Sequence, residues 1–109
     1  MASTIFVSDE YGWTASWGLF EWVIEFLLGT VGDEPTRQEL RQVMEHNLGA
    51  VMVSELSAPG RREVLDALRT GLVPAATASL AVHQEPAHRK LTIGHVKVLK
   101  LMADDVLRQ

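Results

Sequence analysis

Three of the four histidines in this sequence lie close together, and histidine is the side chain whose charge changes nearest to neutral pH. His83, His88 and His95 fall within 13 residues, with Glu85 between the first two. Imidazole nitrogen and carboxylate oxygen are ligands that zinc and manganese accept. The spacing fits no established metal-binding pattern, because Pro86 interrupts any helix that would place two imidazoles on one face. We favour a solvated connector here and predict no bound cofactor.

Carboxylates offer a second candidate chemistry. Asp9 and Glu10 follow a predicted strand, and either could meet Glu21 or Glu25 in a pair suited to acid–base catalysis or to magnesium binding. Acidic residues far more often cap helices or face solvent. The chain also has no cysteine, no Gly-x-Ser-x-Gly motif and no glycine-rich phosphate loop. A small metal-dependent enzyme is therefore an alternative, and a non-enzymatic protein is the favoured interpretation.

The charges are divided unequally along the chain. Residues 1–56 carry nine acids and two bases, a balance of −7, and residues 57–109 carry five acids and eight bases, a balance of +3, which together give the net −4. All seven aromatic residues lie between positions 6 and 26, before the first basic residue, Arg37. Nucleic-acid-binding proteins instead place lysine and arginine beside their stacking aromatics. The pattern argues against nucleic acid and allows a basic protein partner, or two halves that face each other within the fold or in a head-to-tail oligomer.

Length and composition predict one globular domain over residues 1–109. The chain is 47% hydrophobic and 22% charged, and a chain of this length buries about 65% of its unfolded surface. The first ten residues contain no lysine or arginine, unlike a secretory signal, and the absence of cysteine fits a reducing compartment. The most apolar segment, residues 17–31, is shorter than a bilayer requires and contains two glutamates. We therefore expect a cytoplasmic protein that binds no membrane.

This apolar segment, from about Trp17 to about Val31, is predicted to be a helix that is apolar almost all round. Thr14 or Ser16 can cap its start, and its polar seam of Gly18, Glu21, Glu25 and Gly29 is only about 80° wide. Such a helix lies at the centre of a core or gives one flank to another chain. Because interfaces favour large aromatics beside a polar rim, we predict a contact surface formed by Trp13, Trp17, Trp22 and Phe26 and rimmed by Glu21 and Glu25.

The predicted function is accordingly that of a small protein-interaction module. It would form a homo-oligomer or bind a protein partner through its aromatic, acidic N-terminal third. The alternative is an acidic inhibitor of the immunity or antitoxin type, which would mask a basic target with the same surface.

The remaining elements follow from periodicity and capping residues. Residues 3–8 are predicted to form a strand, and residues 50–53 either pair with it or cross beneath the helices. A second helix begins with Thr36 and Glu39 as a capping box, ends at Gly49, pairs Arg41 with Glu45, and buries Leu40, Val43, Met44 and Leu48. A third helix runs from residues 57–60 to Gly71 and buries Val64, Leu65, Leu68 and Leu72.

The C-terminal part allows more than one interpretation. Pro74 either opens a fourth helix that extends to about Val82 or kinks a longer one, and residues 83–90 are predicted to be a polar connector. The last segment is favoured as a helix capped at Thr92, although residues 92–101 are also β-prone. The predicted class is mainly α, a bundle of four to five helices with a short N-terminal strand or β-ribbon, and the alternative is α+β.

Overall fold

A small three-stranded sheet is covered on one face by helices in the computed structural model, which describes residues 2–80 and 85–108. The central strand β1 (Ala2–Phe6) pairs antiparallel with β2 (Gly12–Ser16) and parallel with β3 (Ala50–Met52). The helices are α1 (Trp17–Thr30), α2 (Glu34–Glu45), α3 (Ala58–Thr70), α4 (Leu72–Ala75) and α5 (Pro86–Arg108). A 3₁₀ turn (Val53–Glu55) follows β3, and a π-helical turn (Ala76–Leu80) follows α4. The predicted mainly α class is confirmed.

The sheet turns alternate side chains toward the helices and toward solvent. Ile5, Trp13 and Val51 point inward and are buried, whereas Phe6 and Met52 lie on the open face. Of the two predictions for residues 50–53, pairing with the first strand is confirmed. Ile5 lies opposite Val51, and the Thr4 amide donates to the Gly49 carbonyl at 2.9 Å. Strand β2 was not separately predicted, because its five-residue alternation is too short to stand out from the preceding turn.

Helix α1 lies at the centre of the core, as its nearly continuous apolar surface predicts. The Ser16 hydroxyl caps its start by accepting the Leu19 amide at 3.4 Å. The helix contacts β1, β2, α2, α3 and α4 and buries Phe20, Val23, Ile24 and Leu27. Most of its circumference is therefore covered by its own chain.

One carboxylate joins the starts of α2 and α3. Asp33, and not the predicted Thr36, caps α2, because the helix begins at Glu34. The Asp33 carboxylate accepts the Thr36 hydroxyl at 2.7 Å, the Thr36 amide at 3.2 Å and the Ser57 hydroxyl at 2.9 Å. Ser57 in turn accepts the Gly60 amide and caps α3. The N-terminal ends of two helices are thus held together by three adjoining polar side chains.

The end of α2 differs from the prediction. The helix stops at Glu45, and Asn47 adopts a left-handed conformation with φ of 50°, as asparagine does more readily than most residues. Leu48 therefore lies beyond the helix and is exposed instead of extending the buried face. Arg41 pairs with Glu34 at 3.1 Å, so the predicted pairing with Glu45 is wrong.

Helix α5 is longer than the sequence indicates. It begins at Pro86, a residue suited to a first helical turn, so the predicted connector is helical over residues 86–90 and no cap forms at Thr92. His83 and Gln84 lie outside the described residues, as do Ala81 and Val82, to which the fourth helix was predicted to extend. Val96, Leu99 and Ala103 of α5 are fully buried, and Lys100 pairs with Asp104 at 2.7 Å. The strand alternative for residues 92–101 is wrong.

Acid is expected to weaken the junction between α2 and α3. Hydrogen bonds from the side chain of Thr36 and then from Ser57 hold the pKa of Asp33 below its ordinary value of 3.8. A carboxylate whose folded pKa is depressed stabilises the fold above its unfolded pKa, and this contribution is lost as the pH falls through the folded pKa. Asp33→Asn should lower the melting temperature at neutral pH. On moving from about pH 5 to about pH 3, the melting temperature of the variant should then fall less than that of the natural chain. Equal losses in the two proteins would contradict this assignment.

Candidate interaction surface

Trp13 lies in the core and not on the predicted contact surface. It is 1% exposed, because its position in β2 points inward, and its indole N–H donates to the backbone carbonyl of His95 at 2.9 Å. The His95 ring stacks on the indole with centroids 4.8 Å apart, and its Nε2 donates to the Thr14 carbonyl at 2.7 Å. Thr14 faces the free edge of β2, so His95 satisfies a carbonyl that the sheet leaves unpaired. Trp13 is therefore a core residue that fastens α5 to the sheet.

A second contact joins α5 to the β1–β2 turn. The Tyr11 hydroxyl donates to the Asp105 carboxylate, which also pairs with Arg108 at 3.8 Å. This hydrogen bond, followed by the negative charge of Asp105, raises the pKa of Tyr11 above its ordinary 10.0. Tyr11 and Trp13 thus hold α5 to the sheet at two levels.

The other predicted surface residues lie on α1 and are only partly accessible. Trp17 is half-buried and donates its indole N–H to Glu21 at 2.9 Å. Trp22 and Phe26 are half-buried and stacked, with centroids 5.9 Å apart and ring planes 9° apart, and both pack against the core. Glu25 is exposed beside them. These residues form an acidic, aromatic strip on α1, and its role in binding stays a prediction.

Three of the exposed large apolar side chains in the described part of the chain lie together on α5. Leu91, Val98 and Leu101 on α5 are 73%, 42% and 59% exposed. Together with Gly94 they follow a spacing of three, four and three residues on the side of α5 opposite the buried Val96, Leu99 and Ala103. We call Leu91, Gly94, Val98 and Leu101 the α5 stripe. A helix surface of this kind is apolar on two opposite sides, and the described part of its own chain covers only one of them.

Shallow grooves border the α5 stripe on both sides. One groove, of about 430 Å³, has a mostly apolar lining with three cations at its rim; it is lined by Arg69, Thr70, Val73, Pro74, Lys97, Lys100 and Leu101. The other lies between the first turns of α5, the end of β2 and the start of α1; it is lined by Thr14, Ala15, Ser16, Leu19, His88, Leu91, Thr92 and His95. A second helix laid along the stripe would have room for its side chains on either flank.

The sequence contains the spacing of this stripe. Positions 91, 94, 98 and 101 are the a and d positions of a heptad pattern. The pattern spans fewer than two full heptads and contains a glycine, and the predicted helix started only at Thr92. The prediction therefore places Leu91 outside the helix.

The residues proposed as metal ligands do not come together as a group of three over residues 2–80 and 85–108, and His83 lies outside this part of the chain. Within this part of the chain no group of three or more histidine, aspartate or glutamate side chains could hold a metal ion. His88 is exposed on the first turn of α5, and His95 contacts Trp13 and Thr14. His46 is exposed at the end of α2. The metal-site hypothesis thus receives no geometric support from these residues, and the acid–base carboxylate pair stays a prediction.

Comparison of the chain with protein-family models, curated proteins and solved structures finds no match. In the described ranges, no helix combines the length and the apolar character that crossing a membrane requires.

Proposed function

We propose that this protein is a non-enzymatic protein-interaction module and that the α5 stripe is its principal contact surface. The observation that carries the proposal is the exposure of three large aliphatic side chains in one line along a 23-residue helix. Single exposed apolar residues are common on soluble proteins, but a contiguous line of them marks a surface that another molecule covers.

The surroundings of the stripe also suit a protein contact. Lys90 and Lys97 lie along one flank and are exposed, so an apolar centre is bordered by charge, as in many interfaces. The helix is fastened to the sheet through Trp13, Tyr11 and His95, which gives the stripe a rigid support. A rigid apolar surface loses little conformational freedom on binding.

The acidic, aromatic strip on α1 is a second contact surface in this proposal. Glu25 is exposed, and Trp22 and Phe26 present the outer parts of their stacked rings beside it. This strip would serve the alternative function, the masking of a basic target. In that case charge reversal of Glu25 should slow association in a salt-dependent manner, whereas charge substitution in the α5 stripe should not.

Site-specific photocrosslinking tests which surface binds. A benzophenone side chain placed at Leu101 is expected to give a discrete covalent adduct in the cells that contain the protein, identified by mass spectrometry. The same group at Gln42, an exposed position on α2, is the matched control and should give none. Adducts from Glu25 but not from Leu101 would favour the α1 strip. The absence of adducts at Leu101, Leu91 and Glu25 alike would overturn the interaction module.

A further inference from the structure

We propose that the α5 stripe binds the α5 stripe of a second copy of this chain, with the two helices antiparallel. This inference rests on the proposed function and names its partner. Three features of α5 carry it: the heptad spacing of the stripe, the position of its one small residue, and the distribution of charge along the helix.

The stripe is self-complementary when two copies run in opposite directions. In antiparallel helix pairs, an a position of one helix packs against a d position of the other. Leu91 then meets Leu101 of the second copy, and Val98 meets Gly94 of the second copy. The same contacts recur on the other side of a two-fold axis near position 96, as a closed dimer requires.

Gly94 distinguishes the antiparallel orientation from the parallel one. In a parallel pair, Gly94 would face Gly94 of the second copy. This would leave a gap between the layer of Leu91 side chains and the layer of Val98 side chains. In the antiparallel pair, the side chain of Val98 fills the space that Gly94 leaves open, so each layer contains either two leucines or one valine beside one glycine. Among the described residues, no atom beyond the neighbouring residues and the local helix backbone lies within 4 Å of the position that a Cβ of Gly94 would occupy. The fold of one copy therefore does not require this glycine.

Charge along α5 favours the same orientation. Arg89 and Lys90 lie near its N-terminal end, and Asp104 and Asp105 lie near its C-terminal end. Antiparallel packing brings Lys90 toward Asp104 of the second copy, on both sides of the axis, whereas parallel packing brings Lys90 toward His95 of the second copy. Asp104 already accepts Lys100 at 2.7 Å and lies 4.0 Å from Arg69, and the 21% of its side chain that stays exposed is what a further cation would meet. Lys97 approaches its own counterpart near the axis, but its exposed long side chain can extend into water.

Sedimentation equilibrium of the purified chain tests for the second copy. The natural chain, of 12.1 kDa, is expected to reach twice this mass with rising concentration. Leu101→Glu should weaken the dimer at least about tenfold, because two carboxylates would enter the apolar layers of one dimer. Gln42→Glu adds the same charge on an exposed helix and should leave the dimer unchanged. Both substitutions lie at exposed positions, and circular dichroism should show both variants folded. A natural chain that stays monomeric overturns the inference.

Disulfide trapping tests the orientation of the two helices. The chain contains no cysteine, so only the introduced cysteines can form a disulfide. On mild oxidation, a mixture of Leu91→Cys and Leu101→Cys chains should give a disulfide-linked dimer of one chain of each kind. Either variant alone should give little linked dimer, because antiparallel packing keeps like positions apart. The reverse pattern would refute antiparallel packing.

The same measurements separate this inference from the proposed function. A monomeric chain that still gives a Leu101 adduct with a different protein would end the second-copy inference and leave the interaction module standing. A chain that is monomeric and gives no adduct would end both.

Discussion

Trp13→Ala is expected to lower the free energy of unfolding by about 3–5 kcal/mol, the range found when a fully buried large aromatic is truncated. Trp13 is the largest of the fully buried side chains in the described part of the chain. Its removal would leave a cavity between the sheet and α5 and would free the His95 carbonyl that the indole N–H now satisfies. The loss would therefore fall on the contact that holds the longest helix to the sheet.

Urea unfolding followed by circular dichroism measures this loss. Trp13→Phe keeps most of the apolar volume and removes the indole N–H, so we expect it to cost clearly less than Trp13→Ala but at least about 1 kcal/mol, the net value of one hydrogen bond. Trp22→Ala is the matched control, because Trp22 is half-buried and should cost less than Trp13. If Trp13→Ala cost no more than Trp22→Ala, the assignment of Trp13 to the core would be refuted.

The same residue shows where sequence reasoning reaches its limit. The periodicity of residues 17–31 predicts α1, and Ser16 is one of its two candidate caps, because both signals lie within a few residues of each other. Trp13 was assigned to the surface, because the inward or outward direction of a strand residue depends on register. That register is set by pairing with β1, where Ile5 lies opposite Trp13. A tryptophan outside a recognised strand gives no sign of its direction.

Some contacts of the fold join residues that are distant in the sequence. The bond from His95 to the Thr14 carbonyl joins residues 81 positions apart, and no local pattern indicates it. The predicted start of α5 is wrong for a different reason. Proline breaks a helix when it lies in the helix interior, but it favours the start of a helix when it lies in the first turn. A helix predicted to start at Thr92 lacks the first two turns of α5. It therefore leaves Leu91 outside the helix that contains Val98 and Leu101. The surface on which the proposed function rests depends on that one assignment.

Gly60→Ala is expected to destabilise the protein by about 1–3 kcal/mol, although alanine favours helices over glycine. A Cβ at Gly60 would lie 1.7 Å from the hydroxyl oxygen of Thr36 and 2.9 Å from the Asp33 carboxylate. Thr36 cannot turn aside freely, because its side chain is 1% exposed and its hydroxyl donates to Asp33. To admit the methyl group, α3 must move away from α2 or the shared capping cluster must break.

A glycine on α1 provides the matched control for this prediction. Gly29 is helical and exposed, and no atom beyond its local backbone lies within 4 Å of the position that its Cβ would take. Gly29→Ala should therefore raise the free energy of unfolding by about 0.5–1 kcal/mol, as expected from helix propensity alone. The two identical substitutions should thus act in opposite directions in thermal or urea unfolding. If Gly60→Ala were also stabilising, the close approach of α3 to Thr36 would be wrong, and with it the sharing of Asp33 between two helix starts.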